Sequence, residues 1–90
     1  MKYRSRNDII REILEAVNGG SGATKTKIMY QVFLSYAQLK EYLTELIDNE
    51  LLNYDVDTRQ FKTTEKGLRF LDAFNQISDV MKAQQQDPLQ

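Results

Sequence analysis

Apolar residues Ile9, Ile10, Ile13, Leu14 and Val17 fall on one stripe of a helix, which predicts a first helix over about residues 7 to 18. Ser5 or Asn7 can cap its start, and Gly19-Gly20-Ser21-Gly22 ends it. Thr24 caps a second, short helix through about Gln31, with Ile28, Met29 and Val32 apolar and Lys25 and Lys27 in its first turn. After Val32-Phe33-Leu34 comes a strong start signal. Ser35 and Gln38 stand at capping-box spacing, with Leu34 and Leu39 at the staple positions around them. A third helix therefore runs over about 36 to 50, with Tyr36, Leu39, Leu43, Leu46 and Ile47 on its buried stripe.

The period then changes to two. Leu52, Tyr54 and Val56 alternate with Asn53 and Asp55, Asp57-Thr58-Arg59-Gln60 supplies a turn, and Phe61-Lys62-Thr63 returns, so a hairpin spans about 51 to 63. Thr64 caps the last helix, roughly 65 to 85, whose apolar residues include Leu68, Phe70, Leu71, Phe74, Ile77, Val80 and Met81. Residues 86 to 90 are expected to fray. The fold class is mainly α with a small β-hairpin. Helix, helix, tight turn, capped helix, hairpin, helix is the order of a winged helix-turn-helix with a long C-terminal helix, the core over 1–64 and the helix over 65–85.

Composition narrows the function. The 90 residues, 41% hydrophobic, suit one domain with one modest core. No apolar run approaches the roughly 20 residues of a bilayer span, so neither a membrane span nor a membrane partner is expected. The basic amino terminus is followed by Asn7 and Asp8 where a signal peptide would be apolar, which predicts a cytoplasmic, nucleoid-associated protein. Cysteine and histidine are both absent, which removes thiol nucleophiles, the usual zinc ligands and the commonest general base. The carboxylates show no convergent pair, and Gly19-Gly20-Ser21-Gly22 lacks the later Gly-Lys-Ser/Thr of a phosphate loop. A non-enzymatic protein follows, with no cofactor, no metal and no small-molecule ligand expected.

Charge is polarised although the net is only −1. Residues 1 to 40 hold seven Lys and Arg against three acids, and residues 41 to 90 hold five against ten. Either the surplus reflects solvated helices, or one end of the body faces a polyanion.

Four stretches carry a resemblance: Lys27-Ile28-Met29-Tyr30; Leu34-Ser35-Tyr36-Ala37-Gln38-Leu39-Lys40-Glu41-Tyr42-Leu43; Leu51-Leu52; and Thr63-Thr64-Glu65-Lys66-Gly67-Leu68-Arg69-Phe70-Leu71. Over about residues 7 to 75 the chain resembles a family of small archaeal winged-helix proteins. The resemblance implies double-stranded DNA as partner, a transcriptional regulator or chromatin-like protein, and dimerisation through a C-terminal coiled-coil helix. The slightly negative charge and a comparatively short last helix depart from a DNA-coating member.

In this fold the third helix reads the major groove with its N-terminal residues. The candidate DNA-binding residues are Lys25 and Lys27 on helix 2, Ser35, Tyr36, Gln38 and Lys40 on helix 3, and Arg59 and Lys62 on the wing. Gln38 suits an adenine edge and Glu41 a cytosine amine, whereas Glu41, Glu45 and Asp48 would repel phosphates, so only the first half of helix 3 enters the groove. Lys2, Arg4 and Arg6 form either a DNA-contacting arm or a free tail. Phe70, Phe74, Ile77 and Met81, spaced four, three and four, form a stripe for a homodimer, with Leu68 and Leu71 turned to the core. The bland alternative is that the domain itself buries Phe70 and Phe74. The alternative function is a protein-interaction module with no DNA contact, favoured by the acidic second half of helix 3.

Overall fold

The computed structural model describes the backbone of residues 4–18 and 22–86 and the side chains of residues 4–18 and 22–77. Lys2, the Gly19-Gly20-Ser21 part of the expected loop, the Val80 and Met81 side chains and the tail from Asp87 lie outside the described residues. Six elements follow in the expected order: α1 (Arg6–Val17), α2 (Lys25–Val32), α3 (Tyr36–Asp48), β1 (Leu52–Asp55), β2 (Gln60–Thr63) and α4 (Glu65–Gln86). The architecture is the winged helix-turn-helix.

Every helix start has a local cause. Ser5, not Asn7, caps α1: its hydroxyl accepts from the Asp8 N–H (3.1 Å) and its own N–H donates to the Asp8 carboxylate (3.0 Å). That backbone N–H is the main reason the Asp8 carboxyl titrates below the ordinary aspartate value, with the Ser5 hydroxyl second. Thr24 caps α2 by accepting from the Lys27 N–H at 3.2 Å. Ser35 and Gln38 form the expected capping box on α3.

The core is a single apolar cluster. Ile10, Ile13, Leu14 and Val17 of α1 meet Ile28 and Val32 of α2, Leu39, Leu43 and Leu46 of α3, Leu52 and Phe61 of the hairpin, and Leu71 of α4. β1 and β2 pair antiparallel with Leu52 opposite Thr63 and Tyr54 opposite Phe61. The chain just before α2 docks on this hairpin. Ala23 and Phe61 exchange two backbone hydrogen bonds, of 3.0 and 2.7 Å. Gly22 makes the approach possible: its φ is +103°, and a Cβ there would stand 2.6 Å from the Phe61 carbonyl oxygen. That glycine thus seats the loop as well as following a helix end.

Three expectations need correction. Helix α3 stops at Asp48, not 50, because Glu50 turns left-handed (φ 63°) and closes a Schellman motif: the Leu51 N–H donates to the Leu46 carbonyl (2.8 Å) and the Glu50 N–H to that of Ile47 (2.9 Å). Val56 belongs to the turn and not to the strand; of Leu52, Tyr54 and Val56 only Leu52 lies over the core, and burial falls along Tyr54 to Val56 as the wing leaves it. On α4, Leu68 is exposed and does not cover the core. The inward line is Gly67, Leu71 and Phe74, spaced four and three, and Leu68 falls about a quarter turn off it.

The left-handed Glu50 is exposed, so a glycine there would lose no packing. Glu50→Gly is expected to stabilise the domain by about 1 kcal/mol, measured as a higher midpoint in urea, because the Cβ penalty of the left-handed region disappears. An unchanged or lower midpoint would contradict that assignment of strain.

Candidate nucleic-acid interface

The first turn of α3 stands clear of the body. Ser35, Tyr36, Ala37, Gln38, Lys40 and Glu41 are all exposed, while Leu39 is fully buried and anchors them. Tyr36 was expected on the buried stripe but is 52% exposed, since the helix begins beyond the edge of the core. Its ring is instead covered from outside by Lys25, whose Nζ lies 4.9 Å from the ring centroid and donates to the Tyr36 hydroxyl at 3.3 Å. This contact joins the start of α2 to the start of α3.

The capping box decides what Gln38 has left to offer. Its Oε1 accepts from the Ser35 N–H (3.1 Å) and from the Ser35 hydroxyl (3.2 Å). A bidentate pairing with adenine needs that oxygen as acceptor, so it would require the box to open. The amide nitrogen remains available as a donor toward an acceptor edge or a phosphate.

The basic residues do not all converge. Lys25 and Lys40 line one groove, between α3 and the hairpin, of about 330 Å³. Lys27, two residues beyond Lys25 on the same helix, lies on nearly the opposite side of α2. Lys62 alternates with Phe61, so it sits on the other face of the hairpin, where its stem lies beside Gly22. Arg59 is at the wing tip in left-handed conformation (φ 58°), its N–H donating to the Asp55 carbonyl at 2.7 Å. The same turn is braced by the Asp55 carboxylate, which accepts from the Asp57 and Thr58 N–H groups and is thereby held below the ordinary aspartate value.

Neither described arginine of the expected arm is free. Arg4 pairs with Glu12 (2.7 Å) and donates to the Val32 carbonyl (2.6 Å), so it ties α1 to the end of α2. Arg6 pairs with Glu45 of α3 and lies over the Tyr42 ring at 5.3 Å. One of the three acids of α3 is therefore neutralised within the chain. Glu41 and Asp48 have no ion-pair partner among the described residues, and they point outward with Thr44.

Sequence reasoning missed the rest of the groove wall. Ile47, expected in the core, is 38% exposed because it lies on the hairpin side of α3, and Tyr54 is 43% exposed opposite it, its ring 4.7 Å from that of Phe61. The apolar periodicity of both segments was visible, but the point at which each leaves the core depends on how the wing packs.

On α4 the stripe Phe70, Phe74, Ile77 is divided. Phe70 is half-buried against the core, and Phe74 is half-buried with its ring stacked toward Phe70 (6.3 Å) and covered by the Arg11 guanidinium at 5.5 Å. Ile77 is 65% exposed. No helix among the described residues is long and apolar enough to cross a membrane.

Residues 3–82 match the family described as winged helix-turn-helix. The chain belongs to that family. Among solved structures, this winged helix-turn-helix protein is similar to the crystal structure of Sso10a-2, a DNA-binding protein from Sulfolobus solfataricus. The TM-score is 0.75 at 19% sequence identity, covering 89% of this chain and 84% of that one. At that identity the likeness is one of fold, and it agrees with the archaeal winged-helix resemblance of the sequence. No curated protein matches the chain.

Proposed function

We propose that this winged helix-turn-helix protein binds double-stranded DNA and acts as a transcriptional regulator, presenting the first half of α3 to the major groove. The observation that carries the proposal is the solvent-open start of α3 with Lys25 and Lys40 beside it. The two lysines take phosphates beside the entering helix, the Gln38 amide and Tyr36 hydroxyl face the bases, and Arg59 at the wing tip takes flanking backbone. Lys27 and Lys62, on other faces, contribute only to the general field. The Sulfolobus neighbour, described as DNA-binding, supports the same partner.

The test is a titration with generic duplex at two salt concentrations. Affinity should fall steeply, with a log–log slope of about −2 to −3 for two or three neutralised phosphates. Absence of binding at about 50 mM salt would instead favour a protein partner, for which the outward Glu41 and Asp48 are the supporting feature.

We infer further that the protein works as a homodimer through the second half of α4. Ile77, exposed and in line with Phe70 and Phe74, is the support; Met81 continues the spacing. Ile77→Asp with Met81→Asp is expected to give monomers by sedimentation equilibrium without unfolding the domain. A variant that stayed dimeric would remove the seam.

A further inference from the structure

We propose that the groove between α3 and the wing is a binding site for a small aromatic carboxylate, and that its occupation competes with duplex DNA. The competitive part rests on the duplex-binding proposal above; the ligand site does not.

The groove is two-sided in chemistry. One wall and the floor are apolar, made by Leu43 and Ile47 of α3 and by Tyr54 and Phe61 of the hairpin. Lys25, Lys40 and Thr44 supply its polar lining, and no carboxylate among the described residues lines it. Leu43 and Phe61 are buried and belong to the core, so this floor is rigid, whereas Ile47 and Tyr54 expose apolar surface that the fold leaves uncovered. Two lysines in the same groove as these apolar side chains suit an occupant with an anionic head and a flat apolar body.

The volume, about 330 Å³, lies at the small end of ligand sites and suits one or two fused rings. A phosphodiester strand would satisfy the lysines but would leave Ile47 and Tyr54 against a polar backbone. An aromatic acid satisfies both. The Tyr54 ring, tilted 47° to that of Phe61, offers its exposed side for stacking. Lys25 is held at the groove by its contact with Tyr36, which restricts its freedom before any ligand arrives. A carboxylate bound there takes the same two ammonium groups that phosphates need, so ligand and duplex exclude one another.

The site was not visible in the sequence, where no small-molecule ligand is expected, because its residues come from four separate elements.

The test uses the full chain without DNA and 1-naphthoate as probe, followed by amide chemical shifts. Saturable shifts are expected over Lys40–Ile47 and Tyr54–Phe61, with 1-naphthalenemethanol, which has no charge, binding about tenfold more weakly. Lys40→Gln should weaken naphthoate severalfold, and Ile47→Glu, which places a carboxylate on the floor, should abolish it while retaining the native amide dispersion. In a second arm, naphthoate at tenfold its dissociation constant should raise the apparent dissociation constant for duplex about elevenfold, as simple competition requires. No shifts up to about 10 mM naphthoate, equal binding of the neutral analogue, or shifts on another face would each overturn the site. Naphthoate binding with unchanged duplex affinity would overturn the competition. Failure of the ligand-free protein to bind duplex would sink the DNA proposal and the competition with it, and would leave the ligand site standing, since the first arm contains no DNA.

Discussion

Reversing two charges, Lys25→Glu with Lys40→Glu, is expected to abolish duplex binding at about 0.1 M salt while leaving the melting midpoint within a few degrees of the parent. Each neutralised phosphate contributes about 0.9 to the slope of log affinity against log salt, so at 0.1 M one lost contact costs nearly tenfold. Losing two gives about 100-fold, and the repulsion of two new carboxylates beside the phosphates adds to it. The fold should tolerate the change. Lys25 occupies the first position of α2, where a carboxylate interacts favourably with the helix N-terminus, and the Tyr36 hydroxyl can donate to it. Lys40 is exposed, and its ammonium makes no hydrogen bond among the described residues. The control is Lys27→Glu with Lys62→Glu. It changes the net charge equally on faces turned away from the groove, so a much smaller loss is expected. Equal losses in both variants would show that net charge, not this surface, governs affinity, and unchanged affinity in the first would remove the assigned surface altogether.

The acids of α3 would limit how a duplex could approach it. Arg6 cancels Glu45, but Glu41 and Asp48 keep their charge on the outward face. A duplex lying along the whole helix would meet both carboxylates without compensation. Entry by the tip, with the helix axis steep to the groove, would avoid them and would bring the wing tip and Arg59 toward the flanking backbone. Arg4 and Arg6 both hold helices together, Arg4 joining α1 to the end of α2 and Arg6 joining α1 to α3.

Local signals carried the fold well. Ser35 with Gln38, Thr24 and Thr64 are caps that act within three or four residues, so their spacing alone located α2, α3 and α4. The alternation at Leu52 and Tyr54 likewise named a hairpin. What sequence could not supply was where each apolar stripe leaves the core. Tyr36, Ile47 and Tyr54 have the right spacing for burial and end up exposed, because they lie at the ends of elements whose packing partners come from elsewhere in the chain. The candidate surface suffered the same limit. Lys25 and Lys27 look equivalent in sequence, yet 200° of helix rotation puts only Lys25 beside Tyr36. Arg6 and Glu45 are 39 positions apart, and no pattern announces their pairing.

Gly67→Ala is expected to destabilise the domain by about 2 kcal/mol, even though alanine is the better helix former by about 1 kcal/mol. The reason lies in the junction between the end of α3 and the start of α4. There Thr64 donates through its hydroxyl to the Glu50 carbonyl (2.6 Å) and through its N–H to that of Leu51 (3.1 Å), Lys66 donates to the Asn49 carbonyl (2.9 Å), and the Gly67 N–H donates back to the Thr64 hydroxyl (3.0 Å). These contacts draw the first turn of α4 so close that a Cβ on Gly67 would stand 2.4 Å from the Leu51 carbonyl oxygen and 2.7 Å from Thr63 Cγ2. The oxygen is backbone and already accepts from Thr64, so it cannot give way without breaking the cap. Moving α4 outward instead would lift Leu71 and Phe70 away from the core they pack against. For a domain of this size about 2 kcal/mol corresponds to a fall in melting temperature of roughly 10 °C. Thr63→Ser, which removes Cγ2 while keeping the hydroxyl bonded to the Leu14 carbonyl, should recover part of the loss in the Gly67→Ala background, because one of the two close contacts is relieved. A melting temperature that rises in Gly67→Ala would mean that helix propensity outweighs the junction and that α4 can move without penalty.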